Sequence, residues 1–172
     1  DMLDGVIAKL PEEEFSNDKV KDCVNLAIVG MPNVGKSSLM NGLLQEEKSI
    51  VTPLAGTTRD SIDSFLRYHK KDIRLIDTAG LRKKSKIKGD IEFYSTVRTF
   101  RVIQECDIAA VLIDADKGFN NQDKDIIRHV IDSGKGLIIV VNKWDLLKKD
   151  THTQKEYRQN IIDQYPVLDY YP

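Results

Sequence analysis

An α/β fold, with a mostly parallel sheet and helices on both faces, is what this sequence predicts, on three observations. Apolar runs of strand length recur along its 172 residues, and they are continuous rather than alternating, as strands covered on both faces require. Amphipathic stretches of helix length separate them, the pattern of βαβ units. The Gly-containing and acidic motifs fall just after the strands, where open sheets of this class bind ligands.

The elements follow in order. Residues 1–22 open with Met2, Leu3, Val6, Ile7 and Leu10 at amphipathic spacing, then turn acidic in "PEEEFSND". They read as the end of a preceding domain's helix and a solvated linker, or as a frayed arm. The domain proper is 23–172. "VNLAIVG" (24–30) reads as a buried strand, followed by a glycine-bearing loop and a helix from Lys36 to Gln45. "SIDSFLRYHKKDIRLIDTAG" reads as two strands joined by a polar turn near Lys70–Asp72. Residues 91–105 have helical spacing, 106–115 form an apolar strand, 121–133 a helix, 136–143 a strand and 153–164 a helix. The sequence stops at "LDYYP", which leaves an exposed sheet edge as the expectation.

Composition narrows the function classes. With 41% hydrophobic and 31% charged residues the chain suits a globular domain. Its 26 Lys+Arg against 27 Asp+Glu give a net charge of −1, which argues against a whole-molecule field drawing in nucleic acid or membrane and leaves only local patches. No apolar run reaches the roughly 18 residues of a membrane span. Cys23 and Cys106 lack metal-type spacing and read as reduced thiols of a cytoplasmic protein. His69, His129 and His152 show no ligand spacing either.

The chemistry is carried by four short motifs. "GMPNVGKS", Gly30, Met31, Pro32, Asn33, Val34, Gly35, Lys36 and Ser37, fits G-x-x-x-x-G-K-[ST] between a strand and a helix, the phosphate-loop context. Gly35 lets the backbone approach a phosphate closely, and the N–H groups from Asn33 to Ser37, running on to Ser38, face it at a helix N-terminus. Lys36 bridges the terminal phosphates and the Ser37 hydroxyl takes magnesium. The plainer alternative is a glycine turn with a surface lysine. "NKWD", Asn142, Lys143, Trp144 and Asp145, directly follows a strand. The Asp145 carboxylate only accepts hydrogen bonds, which suits guanine's adjacent N1–H and NH₂ donors and repels adenine's ring acceptor. Asn142 braces this loop against the phosphate loop, and the stem of Lys143 lies over the base. A helix cap at Asp145 is the bland alternative. "DTAG", Asp77, Thr78, Ala79 and Gly80, ends the third apolar run: Asp77 holds magnesium through water, and the Gly80 N–H senses the γ-phosphate. "GTTRD" (56–60) supplies a threonine for metal and phosphate, with Thr57 and Thr58 equally open by spacing. Together the motifs indicate a P-loop NTPase, specifically a Ras-like GTPase domain binding GTP and GDP with magnesium.

One residue departs from the Ras pattern. Leu81 stands where a water-orienting glutamine is expected and cannot make that hydrogen bond. No general base is apparent, so the catalytic residues are left unassigned and slow intrinsic turnover is expected, about 10⁻³ s⁻¹ or below. Just beyond, Arg82, Lys83, Lys84, Lys86 and Lys88 crowd into a basic run, either a solvated loop or a contact surface.

The set "GMPNVGKSSLMN", "GTTRD", "DTAGLRKKSKI" and "NKWD" resembles the bacterial Der (EngA) GTPase family over nearly the whole chain, and in particular its second GTPase domain. The resemblance implies two tandem GTPase domains followed by a KH-like domain, and a role in assembling the large ribosomal subunit. It implies Thr58 as the metal threonine and the Arg82 to Lys88 run as a contact for ribosomal RNA or the neighbouring domains. Related GTPases sharing Asn33 can use potassium near the β- and γ-phosphates, which makes Asn33 a second metal candidate. Family members continue into one more strand, a Ser-Ala motif and a closing helix, so this domain is expected to be incomplete at its C-terminus. The alternatives kept open are a GTP sensor with little hydrolysis, or an RNA or interdomain scaffold.

Overall fold

The computed structural model describes residues 23–45, 64–68, 71–78 and 92–172. Five strands form one sheet: β1 (Cys23–Gly30), β2 (Ser64–Tyr68), β3 (Lys71–Leu75), β4 (Ile108–Asp114) and β5 (Gly136–Asn142). Among the described residues four α-helices accompany them: α1 (Lys36–Gln45), α2 (Glu92–Glu105), α3 (Asn121–Asp132) and α4 (Thr153–Gln164). Short 3₁₀ turns occupy Trp144–Leu146 and Pro166–Tyr170.

The strand order is β2-β3-β1-β4-β5. Only β2 runs antiparallel to its neighbour. The β1–β3, β1–β4 and β4–β5 pairs are parallel. The order reverses at β1, so a crevice opens beyond the carboxyl ends of β1, β3, β4 and β5, where a ligand is best placed in such sheets.

The apolar strands are apolar because both faces are covered. Ala27, Val29, Ala109, Val111 and Ile113 pack with Val102 and Ile103 of α2, Ile127 and Val130 of α3 and Ile161 of α4. From the same strands, Ile28 and Leu112 point the other way, against Met40 of α1, Leu66 and Leu75. Period-two alternation thus sends neighbouring residues into two cores, with Ala27, Met40, Ile103, Leu112 and Ile113 fully buried. The expected α/β architecture, with helices on both faces, is present.

Several boundaries differ from the sequence reading. Lys71 and Asp72 belong to β3 rather than to the hairpin turn, because Asp72 pairs across the strands with Arg67 (Nε–Oδ1 2.6 Å). Cys106 and Asp107 precede β4: Cys106 still donates to Val102 at the end of α2, and the Asp107 carboxylate accepts from the Asn25 N–H at 2.8 Å. Ala115 and Lys143 likewise fall outside strands predicted to include them. At the outer edge the Ile139 N–H donates to the Pro172 carbonyl (2.9 Å), and a cavity of about 510 Å³ opens beside β5, lined by Ile139, Trp144, Tyr157, Ile161, Leu168 and Tyr171. β5 is thus an edge strand of the sheet among the described residues, with its middle met by the Pro172 carbonyl. No helix among the described residues is long and apolar enough to cross a membrane.

Candidate functional site

The phosphate-loop sequence lies between β1 and α1, as its motif demands. Gly30 ends β1 with φ 141°, and a Cβ there would stand 2.5 Å from the Leu112 carbonyl of β4, so close strand approach requires glycine. Gly35 has φ 100°. A Cβ on it would come within 2.1 Å of Asn142 Nδ2, so glycine is needed again, here to admit a side chain from another loop. Asn33 takes a left-handed φ of 64°, which asparagine tolerates better than most residues. Val34 turns inward and is buried under the loop. α1 carries no acidic residue in its first turn, so its N-terminal partial charge is left for an anion. Lys36 donates from Nζ to the carbonyls of Gly30 (2.7 Å) and Met31 (2.5 Å), curling over the loop it belongs to. Met31, Pro32 and Ser37 are half-buried, and Ser38 is exposed.

The second loop leaves β5. Asn142 Nδ2 donates to the Val34 carbonyl at 2.7 Å across 108 residues of sequence. This is the brace expected between the "NKWD" and phosphate loops. Lys143 is left-handed (φ 59°, ψ 31°) and opens the 3₁₀ turn Trp144–Leu146. Asp145 lies inside that turn and is exposed. The turn's cap position is Lys143, with no side-chain cap bond, so Asp145 is not there as a helix cap. Trp144 packs edge-on against Tyr157 of α4, with ring centroids 5.3 Å apart.

Asp77 lies two residues beyond β3, not at its end, with φ 58°. β3 lies parallel to β1, and the Ile76 N–H continues that pairing to the Leu26 carbonyl (3.1 Å), so the loops after both strands emerge on one rim. Arg98 of α2 grips the Asp77 carboxylate with Nε and Nη2. Buried Thr78 accepts from Ser64 Oγ at 3.1 Å. Thr57, Thr58, Ala79, Gly80, Leu81 and the basic run Arg82 to Lys88 lie outside the described residues, as does 1–22.

Among the described residues no group of three or more His, Cys, Asp or Glu could hold a metal ion. Ser37 and Asp77 offer few, hard oxygen donors, and that set fits magnesium, which shares its shell with phosphates and water. Neither cysteine suits nucleophilic work: burial pushes both thiols up, and Cys106 is almost wholly enclosed. Two charged residues near the motifs had escaped the sequence reading. Asp114, at the end of β4, falls within the apolar 106–115 run, where an acid closing a buried strand is itself a signal. Arg98 had no signal, being one polar residue on an amphipathic helix.

The chain is similar to known proteins over its whole length. "GTPase Der" of Chlorobium phaeobacteroides is 49% identical over 172 residues, covering all of this chain and 39% of that protein. "GTPase Der" of Chloroflexus aurantiacus is 46% identical, with 38% of its length covered. The chain thus spans about two-fifths of the curated relatives it matches. Among solved structures, Era in complex with MgGDPNP and nucleotides 1506–1542 of 16S ribosomal RNA superposes with a TM-score of 0.61 at 26% identity, covering 84% of this chain and 48% of that one. The elongation factor SelB of Methanococcus maripaludis, at 18% identity, covering 81% of this chain and 26% of its own, and with a TM-score of 0.58, shares the fold. The profile described as 50S ribosome-binding GTPase matches residues 25–143, and the chain belongs to that family.

Proposed function

We propose that this chain is a GTP-binding and GTP-hydrolysing switch domain acting in assembly of the large ribosomal subunit. The observation that carries the reading is the Asn142–Val34 bond (2.7 Å). It ties a loop suited to phosphates to a loop suited to guanine. The family and the "GTPase Der" relatives support the activity, and the Era complex with ribosomal RNA supports the setting.

The phosphate tail lies against the main-chain amides from Asn33 to Ser38, with Lys36 exchanging its bonds to Gly30 and Met31 for phosphate oxygens. Asp145 accepts from the guanine edge, and Lys143 and Trp144 flank it. Ser37 and Asp77, with Thr58 as a third donor, would hold magnesium, which would supply positive charge to the phosphate tail. Thr57, Thr78, Ala79, Gly80 and Leu81 complete the γ-phosphate surroundings. Asn33 would hold potassium, whose charge would take the place of a side-chain finger, since Leu81 offers no hydrogen bond. The run Arg82 to Lys88 contacts ribosomal RNA or adjoining GTPase and KH-like domains, residues 1–22 being a link to the former. The domain is 23–172, and the whole protein is cytoplasmic.

Titration of the chain with GDP, GTP and ATP, followed by single-turnover hydrolysis in potassium and in sodium, tests this. The expected result is guanine preference, slow hydrolysis faster in potassium, and loss of that difference in Asn33→Ala. Equal binding of ATP would refute the guanine site. Binding without hydrolysis would make the chain a sensor. Charge reversal at Lys83 and Lys84 should lower co-sedimentation with large subunits in the GTP state.

A further inference from the structure

We propose that Asp114 is a positioning residue for purine recognition, acting through Lys143 to hold the turn that carries Asp145. The inference rests on the guanine-binding reading above. Asp114 ends β4, is only 4% exposed, and lies in register with Asn142 of β5. That rung of the sheet continues in a bond from the Ala115 N–H to the Asn142 carbonyl (2.9 Å). One rung therefore carries two anchors. Asn142 reaches the phosphate loop, and Asp114 reaches the next residue of the base loop: its Oδ2 accepts from Lys143 Nζ at 2.6 Å. Its Oδ1 accepts from the Asp116 N–H at 3.2 Å, which fixes the carboxylate plane.

Lys143 needs such an anchor. Its left-handed backbone is rarely adopted by a lysine, and its carbonyl accepts from the Leu146 N–H (3.0 Å) to close the turn containing Asp145. Its backbone aims the turn, and its ammonium is tied to a buried carboxylate, so the residue is held at both ends. A second acid lies near the carboxylate of Asp114: Asp123 of α3 is buried, and that burial, together with the charge of Asp114, pushes its carboxyl up. Buried ion pairs are weak sources of net stability. A pair retained here, one residue from the base-selecting loop's phosphate brace and two from its acid, is explained by geometry instead.

The test compares Asp114→Asn with the unaltered chain, titrating GDP, inosine diphosphate and ADP. Inosine diphosphate lacks the 2-amino group that Asp145 accepts from, so the ratio of the two affinities reads Asp145 placement and is insensitive to general loosening. The expected result is a GDP affinity lowered roughly 10- to 100-fold, with a smaller loss for inosine diphosphate, so that the ratio moves toward one. Lys143→Met should do the same, and combining it with Asp114→Asn should add little beyond either alone. Trp144, the sole tryptophan, should show an altered emission response to GDP in each variant. An unchanged ratio, equal losses for both nucleotides, or additive effects would overturn the role of Asp114 and leave the guanine reading standing. No preference for GDP over ADP in the unaltered chain would overturn both.

Discussion

Gly35 is the residue on which the two loops converge. Its missing side chain is the space that Asn142 occupies: a methyl there would meet Nδ2 at 2.1 Å. Gly35→Ala must displace Asn142 from the Val34 carbonyl and also strain a backbone at φ 100°, at a cost of about 1–3 kcal/mol. Nucleotide affinity should fall by an order of magnitude or more, about the worth of one well-placed bond to a bound loop. Titration with a fluorescent GDP analogue measures this, and Asn142→Ala should behave alike. Arg98 gives a second residue-level prediction. It grips Asp77, the carboxylate suited to magnesium, so cation and guanidinium compete. Arg98→Ala should lower the magnesium concentration for half-maximal GTP binding several-fold, while GDP binding in chelator changes little; an unmoved magnesium dependence would remove Arg98 from the site. The brace of Asn142 against the phosphate loop is expected from the motifs, but the space Gly35 leaves for it and the Arg98–Asp77 pair are not, because each of those contacts joins segments apart in sequence.

Among the elements, α3 shows how local chemistry sets a boundary. Asn120 accepts from the backbone N–H groups of Gln122 and Asp123, and the Asp123 carboxylate accepts in return from the Asn120 N–H (3.1 Å). This capping box, found in "NNQD", accompanies the start at 121 that the spacing predicts. Asn120→Ala should cost about 1 kcal/mol, lowering the melting temperature by about 2–4 °C for a chain of this size; calorimetry checks it. α4 begins differently. Asp150 accepts from the His152 and Thr153 N–H groups and the Thr153 hydroxyl, and those bonds hold its carboxyl below the ordinary range. The β2–β3 hairpin shows where local reading fails: "KKD" looks like a turn, yet cross-strand pairing with Arg67 recruits Asp72 into the ladder.

For the molecule as a whole, buried acids shape the pH response. The ammonium of Lys143 holds Asp114 below its usual range, so its contribution is present at neutral pH and is lost as pH falls through that depressed value. Asp123 has the opposite sign. Burial raises it above the usual carboxylate value, so stability is fullest below that value and is lost as pH rises through the raised one. Asp123→Asn keeps an acceptor for the Asn120 N–H and should flatten the decline in unfolding free energy as pH rises above the usual carboxylate range; urea denaturation at stepped pH values checks this, and an unaltered slope would contradict it. By itself the sequence determined the layered architecture, because strands covered on both faces must be apolar throughout and helices must be amphipathic. It also determined the phosphate and base motifs, because glycine, lysine and acid at fixed spacing answer local backbone and ligand chemistry. Only the tertiary structure decided that Asn142 and Asp114 share a rung, that Gly35 makes room for an amide, and that Arg98 meets Asp77. Those contacts arise from strand order and register, and no local spacing encodes which distant residues a sheet will bring side by side.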